Sequence, residues 1–479
     1  FLVLAAACGP AGLEGAGVPV AEPVPPVEPP VERTATPSRG PAGGPTPRGA
    51  RELPNVLLVV TDDQPVGTFE VMPEVRRWFI EGGTLFTSAY ATTPLCCPAR
   101  ASILTGRYAH NHRIVTNDGG ETLSLEAALP GILQGIGYRT AISGKLFNDW
   151  PLEVDPAFFD RWAMFNVGYH QSLWNLDGQV RRVDEYSTDF AADRAVEFLR
   201  AFEHEDQRPW FVLVAPFAPH GPFEPAPRYA AAEVPRWAPE RAVTEPNRSD
   251  KPPYVRERTA KPWATRTIRA RQLRTLMSVD DLVGRLMRSL GSLGERDRTL
   301  AVYVSDNGFL WGQHGIVDGK RFPYLPSVQV PMAVRWPGHL AAGAVDDRLA
   351  ANVDLAPTVL RAAGFSGAAV QDLDGRSLLD PGTRSRLLLE YWADPTSSVP
   401  TWASVLTPDR QYIEYHGAGG RTVAFREYYD LQADPLQLRN LLGDADPRND
   451  PSAWRLARLS SRLARDRGCQ GSAGPTACP

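Results

Sequence analysis

The sequence predicts an α/β protein with a doubly wound, largely parallel sheet flanked by helices, followed by a smaller C-terminal α+β domain with a short antiparallel sheet. Short apolar runs alternate with segments of helical spacing, which is typical of parallel sheets covered on both faces. Polar clusters follow several of these runs, at the strand ends where α/β proteins bind ligands. Near residue 375 the pattern changes to closely spaced short strands. The predicted strands of the main sheet are 55–61, 138–143, 210–215, 300–305 and 328–335.

Two amphipathic segments are expected to cover this sheet. Apolar residues at helical spacing run from Leu273 to Leu290, and a second set runs from Phe190 to Phe202. We predict a catalytic α/β domain over 51–375 and a C-terminal subdomain over 376–479. Within the subdomain, the predicted elements are strands over 387–391, 403–406, 411–414 and 422–425 and a helix over 451–466.

The N-terminal region has the composition of a leader and a linker. We interpret residues 1–9 as the remnant of an export signal, since small residues before Cys8 resemble a bacterial lipoprotein signal. Simple secretion and an ordinary apolar start are the alternatives. Residues 10–50 are rich in Pro and Gly, which predicts a disordered linker. We therefore expect a protein outside the cytoplasm, secreted or anchored to the outer face of the bacterial membrane only through an N-terminal lipid.

The charge and the remaining cysteines limit the function classes. A formal net charge of -4 in 479 residues gives no indication of nucleic-acid binding. No stretch after the leader reaches the roughly 18 apolar residues that a membrane span needs. Cys469 and Cys478 lie close together near the C-terminus, which predicts a small disulfide loop in an exported protein, with two free thiols as the alternative.

One short run combines thiols, an arginine and a predicted helix start. Pro98 suits the first position of a helix and Gly106 suits its end. Arg100 lies four residues after Cys96, so both project from one face, and helix N-termini attract anions. The spacing predicts that Cys96, Arg100 and the helix N-terminus converge, while a buried apolar cysteine pair is the alternative. The run reads Cys96-Cys97-Pro98-Ala99-Arg100-Ala101-Ser102-Ile103-Leu104-Thr105-Gly106.

This run resembles the signature of the formylglycine-dependent sulfatases of the alkaline phosphatase superfamily, Cys-x-Pro-x-Arg followed by Leu-Thr-Gly. In that family the first cysteine is oxidised after synthesis to an aldehyde, whose hydrate is the nucleophile. The resemblance implies that Cys96 becomes a formylglycine (3-oxoalanine), with a formylglycine-generating enzyme as partner during maturation. Ala99 stands where the family usually has serine, which puts the rate of maturation in doubt.

Polar residues after two predicted strands suggest a metal site. Asp62 and Asp63 follow the first strand, and Asp306 and Asn307 follow the fourth. These residues are also common in turns, but three carboxylates and one amide oxygen together suit Ca²⁺ or Mg²⁺. The resemblance implies that these four residues and the formylglycine oxygen at Cys96 bind one Ca²⁺. Related phosphatases and phosphonate monoester hydrolases often carry His at the position of Asn307.

Two lysines and a histidine complete the predicted catalytic set. Lys145 and Lys320 are two of only four lysines in the chain, and both occupy predicted loops. A solvated surface position is the usual expectation for lysine. The resemblance instead implies that both grip the sulfate and leaving-group oxygens together with Arg100. It also implies that His220, in Pro219-His220-Gly221-Pro222, protonates the departing alcohol.

Other segments resemble one branch of the family. Phe147 stands where many arylsulfatases have a histidine that acts as base in a later step, so that base is not identified. The Gly-Lys-x-x-Asn form with Asn148 resembles N-acetylglucosamine-6-sulfatases and heparan endosulfatases. Further resemblances are the runs His110-Asn111-His112 and Trp174-Asn175-Leu176-Asp177-Gly178. Candidates for substrate contact or for the missing base, each with a structural role as the alternative, are Asn148, His110, His112 and His314.

The resemblance covers most of residues 52–442. It implies a calcium-dependent sulfuric ester hydrolase that releases sulfate from a sulfated sugar, with N-acetylglucosamine-6-sulfate as a candidate, or from an aryl sulfate. One alternative is a phosphodiester or phosphonate monoester hydrolase with the same nucleophile. A second alternative is a non-catalytic lipoprotein that keeps Cys96 as a thiol and binds sulfated glycans.

Overall fold

A buried strand, β1 (Asn55–Thr61), forms the centre of the fold, and its two faces belong to two different cores. Val56 and Leu58 pack into one hydrophobic core, whereas Leu57 and Val59 pack into the other. This division follows from the alternation of side chains along a strand. Both faces of the sheet are therefore covered, as the continuous apolar run predicts.

The computed structural model describes residues 53–205, 208–417, 420 and 422–479, so the predicted export signal and linker lie outside the described residues. The first strands in chain order are β1 (Asn55–Thr61), β2 (Thr84–Phe86), β3 (Ala89–Tyr90), β4 (Arg139–Gly144), β5 (Arg161–Phe165), β6 (Ser172–Leu176), β7 (Gln179–Val183), β8 (Trp210–Ala215) and β9 (Thr299–Ser305). The others are β10 (Leu310–Trp311), β11 (Val317–Gly319), β12 (Met332–Arg335), β13 (Ala344–Asp346), β14 (Ala350–Ala351), β15 (Leu387–Tyr391), β16 (Trp402–Leu406), β17 (Arg410–His416) and β18 (Val423–Asp430).

The α-helices connect and cover these strands. In chain order they are α1 (Pro73–Val75), α2 (Cys96–Thr105), α3 (Ala109–His112), α4 (Leu129–Gly135), α5 (Ser187–Glu205), α6 (Pro253–Arg256), α7 (Pro262–Leu293), α8 (Leu325–Val328), α9 (Leu355–Ala362), α10 (Ala368–Gln371) and α11 (Ala453–Asp466). Within the described ranges, none of the helices is both long enough and apolar enough to cross a membrane.

The main sheet is mixed and mostly parallel. In the described part of the chain it has ten strands, in the order β13-β2-β12-β9-β1-β8-β4-β5-β6-β7. The pairs β9–β1, β1–β8, β8–β4 and β4–β5 are parallel. The strand β12 is antiparallel to β9, and β6 is antiparallel to both β5 and β7. The predicted doubly wound sheet is confirmed, and β6 and β7 extend it at one edge by antiparallel pairing.

Helices form a layer on each face of this sheet. The helices α5 and α7 contribute Phe198, Leu276 and Leu286 to one core. On the other face, α2, α4 and α9 contribute residues such as Leu104 and Leu360. The apolar stripes of α5 and α7 thus face the sheet, in agreement with the helical spacing of their apolar residues.

The C-terminal sheet has the order β15-β16-β17-β18 and is antiparallel throughout. A buried carboxyl group lies in its core: the hydroxyls of Tyr324 and Tyr429 donate to Oε1 of Glu427 at 3.1 and 2.8 Å, and that of Tyr415 donates to Oε2 at 2.5 Å. Because Tyr324 precedes the sheet by about 60 residues in sequence, this network ties the C-terminal sheet to the first part of the chain.

One predicted strand, 328–335, needs correction. Residues 328–331 are not part of a strand, because α8 ends at Val328 and β12 begins only at Met332. Pro326 suits the first turn of α8, and Pro331 lacks the N–H that a strand ladder uses. The predicted strand at 55–61 is confirmed to the residue, while the boundary between domains at residue 375 stays a prediction.

Candidate active site

The ends of two neighbouring strands bring four oxygen-bearing side chains together. Because Thr61 on β1 pairs with Ser305 on β9, the residues that follow each strand lie side by side. The backbone N–H of Asp63 donates to Oδ1 of Asp306 at 3.1 Å, and Nδ2 of Asn307 donates to Oδ1 of Asp63 at 2.7 Å. The strand register thus produces the cluster that the sequence predicts.

The helix α2 begins at Cys96, two residues earlier than predicted, so that Pro98 is its third residue. The position still suits proline, because the first four N–H groups of a helix have no partner within it. The helix ends at Thr105, and the next residue, Gly106, has a left-handed φ of 67° that favours glycine. This start places the Cys96 thiol 3.4 Å from Oδ1 of Asp62.

Arg100 joins the helix to both strand ends. Its Nε donates to Oδ2 of Asp306 at 2.9 Å, and its Nη2 donates to Oδ2 of Asp62 at 3.3 Å. Its Nη1 donates to the carbonyl oxygen of Lys145 at 2.6 Å. All donor nitrogens of this buried guanidinium are engaged, so its position is fixed.

The two lysines of the predicted set both reach the cluster. Nζ of Lys145 lies 2.5 Å from Oδ2 of Asp62, and this lysine is almost completely buried. Nζ of Lys320 lies 2.6 Å from Oδ1 of Asp63 and 2.8 Å from Sγ of Cys96. Neither lysine is therefore a solvated surface charge.

His220 lies at the open side of the cluster. Its Nε2 is 3.6 Å from Oδ2 of Asp63, and its side chain is 28% exposed. Its Nδ1 lies 2.8 Å from the carbonyl oxygen of Gly221. Because a carbonyl oxygen only accepts, Nδ1 carries a hydrogen, and Nε2 is the nitrogen that exchanges a proton with the cleft.

The buried charges offset one another. Burial opposes ionisation of Asp62, but Lys145, His220 and Arg100 hold the pKa of its carboxyl far below the usual range. Burial also opposes protonation of Lys320, yet Asp63 and the other anionic groups raise its pKa well above the usual value. Burial and the neighbouring Asp62 raise the pKa of the Cys96 thiol.

The donor set fits a hard divalent cation. Single ligand atoms of Asp62, Asp63, Cys96 and His220 lie within 4.8 Å of one another. Oδ1 of Asn307 is buried and accepts no hydrogen bond from the described residues. A buried acceptor without a donor is costly unless a cation binds it. Carboxylate and amide oxygens are the ligands that Ca²⁺ prefers.

The structure does not bring the three other candidate histidines, His110, His112 and His314, to this cluster. His110 Nδ1 pairs with Oε1 of Glu390 at 2.9 Å, and His112 Nε2 lies 3.0 Å from the Ser102 hydroxyl. Burial lowers the pKa of His112 to about 3, so this side chain is neutral. These contacts attach both side chains to the fold around α2 and α3, and a contact of either with substrate stays a prediction.

His314 also lies outside the cluster, and its role at the site stays a prediction. Its Nδ1 lies 2.9 Å from Oε2 of Glu245, and its side chain is 1% exposed. Asn148 is closer to the site, because its backbone N–H donates to Sγ of Cys97 at 3.1 Å. Phe147 is buried and stacks on Trp150. Of these four candidates, Asn148 thus contacts the first turn of α2 at Cys97, and His112 contacts it at the backbone of Pro98.

The two C-terminal cysteines, Cys469 and Cys478, form a disulfide that closes a small loop; the two residues are nine positions apart in sequence. The carbonyl oxygen of Cys469 lies 3.0 Å from both Nε2 of His110 and Nδ2 of Asn111. This contact gives the His110-Asn111-His112 run a role that the sequence alone did not suggest. It docks the C-terminal tail against the segment that follows α2.

Sequence reasoning missed several residues at the site. Asn117 caps the start of α2, because its Oδ1 accepts the backbone N–H of Cys97 at 3.1 Å. Tyr169 fixes the histidine loop by donating to the carbonyl oxygen of His220 at 2.6 Å. Neither lies in a motif, so only the tertiary structure identifies them.

A cleft of about 450 Å³ leads from Asp63, His220 and Lys320 towards solvent. Two arginines, Arg258 and Arg321, also line it. The sequence offered one signal for Arg321, its position directly after Lys320, but none for Arg258.

Comparison with known proteins agrees with this geometry. Residues 54–365 match the family model described as sulfatase, and residues 312–459 match the C-terminal model of N-sulphoglucosamine sulphohydrolase. The chain belongs to the sulfatase family. The sulfatase model covers the strand ends, α2, both lysines and His220, and thus every residue of the buried cluster.

Individual relatives place this sulfatase near the N-acetylglucosamine-6-sulfatases. It is 31% identical to the human N-acetylglucosamine-6-sulfatase over 87% of this chain and 85% of the relative. A solved structure described as a complex with its substrate D-glucosamine-2-N,6-O-disulfate superposes with a TM-score of 0.72. That structure is 25% identical and covers 87% of this chain and 98% of its own.

Other relatives are longer than this chain. The extracellular sulfatase homologues of Drosophila melanogaster and Caenorhabditis elegans are 35% and 34% identical over 71% and 68% of the chain. The matched parts are only 32% and 48% of those proteins, so the chain spans about a third to a half of their length.

Proposed function

We propose that this sulfatase hydrolyses a sulfate ester of a sulfated sugar, using a formylglycine formed from Cys96 and one Ca²⁺. The observation that carries the proposal is the position of Lys320 Nζ, 2.8 Å from Cys96 Sγ and 2.6 Å from Asp63. This arrangement joins the residue to be modified, an acidic ligand and a cation within one buried cluster. Such a cluster is suited to bind a tetrahedral anion next to the side chain at position 96.

Four residues fit the calcium site: Asp62, Asp63, Asp306 and Asn307. Their buried oxygens, and the Asn307 Oδ1 that no described residue satisfies, support this assignment. The aldehyde hydrate at position 96 would supply the nucleophile, and bound Ca²⁺ would supply positive charge beside it. A formylglycine-generating enzyme is the maturation partner that this proposal requires.

The cationic side chains have separate tasks. Arg100, held at both carboxylates by its Nε and Nη2, orients the side chain at position 96 and the strand ends. Lys145 and Lys320 carry the charges that offset the sulfuryl oxygens as the ester bond lengthens. Both are held in place by Asp62 and Asp63, so little reorganisation precedes the reaction.

His220 is the proton donor for the leaving alcohol. The hydrogen on Nδ1 is bound to the Gly221 carbonyl, which leaves Nε2, 3.6 Å from Oδ2 of Asp63, to face the cleft. The proton on Nε2 is therefore transferred to the alcohol oxygen as the bond to sulfur breaks. The 28% exposure of His220 gives this nitrogen access to the cleft.

The relatives support a substrate class and a location. A sulfated aminosugar with a 6-sulfate is the substrate that similarity to the human N-acetylglucosamine-6-sulfatase supports, and an aryl sulfate is the alternative that similarity to the Volvox carteri arylsulfatase supports. Extracellular relatives and the Cys469–Cys478 disulfide support a location outside the cytoplasm. Lipid attachment at Cys8 would make the protein a surface lipoprotein, which fractionation of labelled cells would test.

The first experiment measures the mass of the peptide that contains Cys96, from protein produced together with a formylglycine-generating enzyme. We expect thiol-to-aldehyde conversion at Cys96 and none at Cys97. Cys97→Ser is the matched control and should still be converted. An unmodified Cys96, in cells that convert a control sulfatase, would refute the proposed nucleophile.

The second experiment measures product release from matched esters. Sulfate release from N-acetylglucosamine-6-sulfate and an aryl sulfate is compared with hydrolysis of the corresponding phosphate and phosphonate monoesters. We expect sulfate esters to be preferred and Cys96→Ala to be inactive on all of them. Preference for the phosphorus esters would favour the alternative hydrolase activity, and glycan binding without turnover would favour the non-catalytic lipoprotein.

A further inference from the structure

The outer part of the cleft carries positively charged side chains in addition to those assigned to the reacting sulfate. The titratable side chains that line it are Asp63, His220, Arg258, Lys320 and Arg321. Asp63, the only carboxylate among these lining residues, is already bound by Lys320 and Asn307. Arg258 and Arg321 therefore leave a net positive wall beside the site, which is suited to an anion.

Arg258 is held in position without a carboxylate partner. Its Nε donates to the carbonyl oxygen of Tyr254 at 3.1 Å, and its Nη2 donates to the hydroxyl of Ser398 at 2.8 Å. Its guanidinium stacks over the ring of Phe322, with Cζ 5.1 Å from the ring centroid. Among the described residues Nη1 donates no hydrogen bond, so a fixed donor remains for a ligand.

The backbone of Arg321 is constrained, whereas its guanidinium has only a distant carboxylate partner. Its φ of 79° is left-handed, a costly conformation for a residue with a side chain. The backbone is held at both ends, because its N–H donates to the Pro94 carbonyl and its carbonyl accepts from Trp402 Nε1. The nearest carboxylate, Asp394, is 4.0 Å from Nη2. The loop thus directs Lys320 to the reacting centre and Arg321 to the cleft wall.

We propose that Arg258 and Arg321 form a subsite for a second anionic group of the substrate, and that Arg258 determines specificity for it. The proposal rests on the proposed sulfatase function, because it assumes that the reacting ester lies at Cys96. A guanidinium binds a sulfate or a carboxylate through paired donors, so either a second sulfate or a uronate carboxylate has the required chemistry. The hydroxyls of Thr396 and Ser398, in the same wall, are suited to neighbouring sugar hydroxyls.

The test compares pairs of ligands that differ only in the second anion. Turnover is measured for N-sulfated and N-acetylated glucosamine-6-sulfate, and for a 6-sulfated disaccharide with and without a uronate carboxylate. Binding of the corresponding 6-desulfated sugars is titrated in parallel, since this needs no turnover. We expect the wild type to prefer the anionic member of at least one pair by about 10-fold, the value of one partly buried charge-assisted contact.

The variants separate this role from a structural one. Arg258→Gln should reduce the preference ratio to about 1, Arg258→Lys should keep part of it, and the exposed Arg256→Gln should leave it unchanged. The pair that shows the preference identifies sulfate or carboxylate as the anion. An unchanged ratio in Arg258→Gln, or equal binding of both members of both pairs by the wild type, would overturn the subsite. Loss of turnover on every ester with the binding preference intact would refute the proposed function alone.

Discussion

Replacing Glu427 by glutamine should change how the stability of this sulfatase depends on pH. Glu427 is completely buried, and its carboxyl accepts hydrogen bonds from the hydroxyls of Tyr324, Tyr415 and Tyr429. Burial raises the pKa of this carboxyl from 4.5 to about 7, against the opposing effects of Lys251 and the tyrosine hydroxyls. Glutamine keeps the size and hydrogen-bonding shape of the side chain but does not ionise.

The sign follows from proton binding in the two states. Between pH 4.5 and 7 the folded state holds a proton on Glu427 that the unfolded chain has released. The free energy of unfolding therefore falls as the pH rises through this window and is constant above it. Each pH unit between the two pKa values corresponds to about 1.4 kcal/mol, so ionising Glu427 costs the fold on the order of 3 kcal/mol.

The assay is thermal unfolding of the wild type and Glu427→Gln at a series of pH values from 4.5 to 8. The variant should gain roughly 3–6 °C in Tm relative to the wild type over this range. The control for the general cost of a Glu-to-Gln substitution is Glu414→Gln. Glu414 is a buried glutamate on the adjacent strand, and its partner is Arg426. A difference in Tm between wild type and Glu427→Gln that does not vary with pH would refute the reasoning.

Three further predictions concern the site and the tail. Lys320→Ala should lower kcat about 10²–10³-fold in steady-state assays, because a preorganised charge beside the reacting group is lost, whereas a loss seen only in KM would contradict this role. Removal of calcium with a chelator should abolish sulfate release and lower Tm, and added Ca²⁺ should restore both in proportion to its concentration; full activity after exhaustive chelation would contradict the metal site. Cys469→Ala together with Cys478→Ala should cost about 2–3 kcal/mol in chemical unfolding through loss of the closed loop, with sulfate release retained at low temperature; unfolding identical to wild type would show that the tail is held by its hydrogen bonds alone.

The sequence predicted the elements whose signals are local. The buried strands gave continuous apolar runs, and the motif around Cys96 contains the start of a helix. Asp62-Asp63 and Asp306-Asn307 follow strands, where an α/β fold binds ligands. The same reasoning could not find Arg258, because its role depends on Phe322 and Ser398, which are distant from it in sequence. It also left two roles open for His110 and His112, substrate contact and a structural role, because their partners Glu390 and the Ser102 hydroxyl are visible only in the structure.

The central strand has one more consequence, which concerns local opening of the fold. Asp62 and Asp63 directly follow β1, whose residues are anchored in both helical layers. Segments that open independently are those with few buried contacts, and this strand end is the opposite case. The backbone amides at the end of β1 should therefore exchange with deuterium only when the whole protein unfolds. Heating should accordingly end activity and global structure together, without a folded species in which the site alone has come apart.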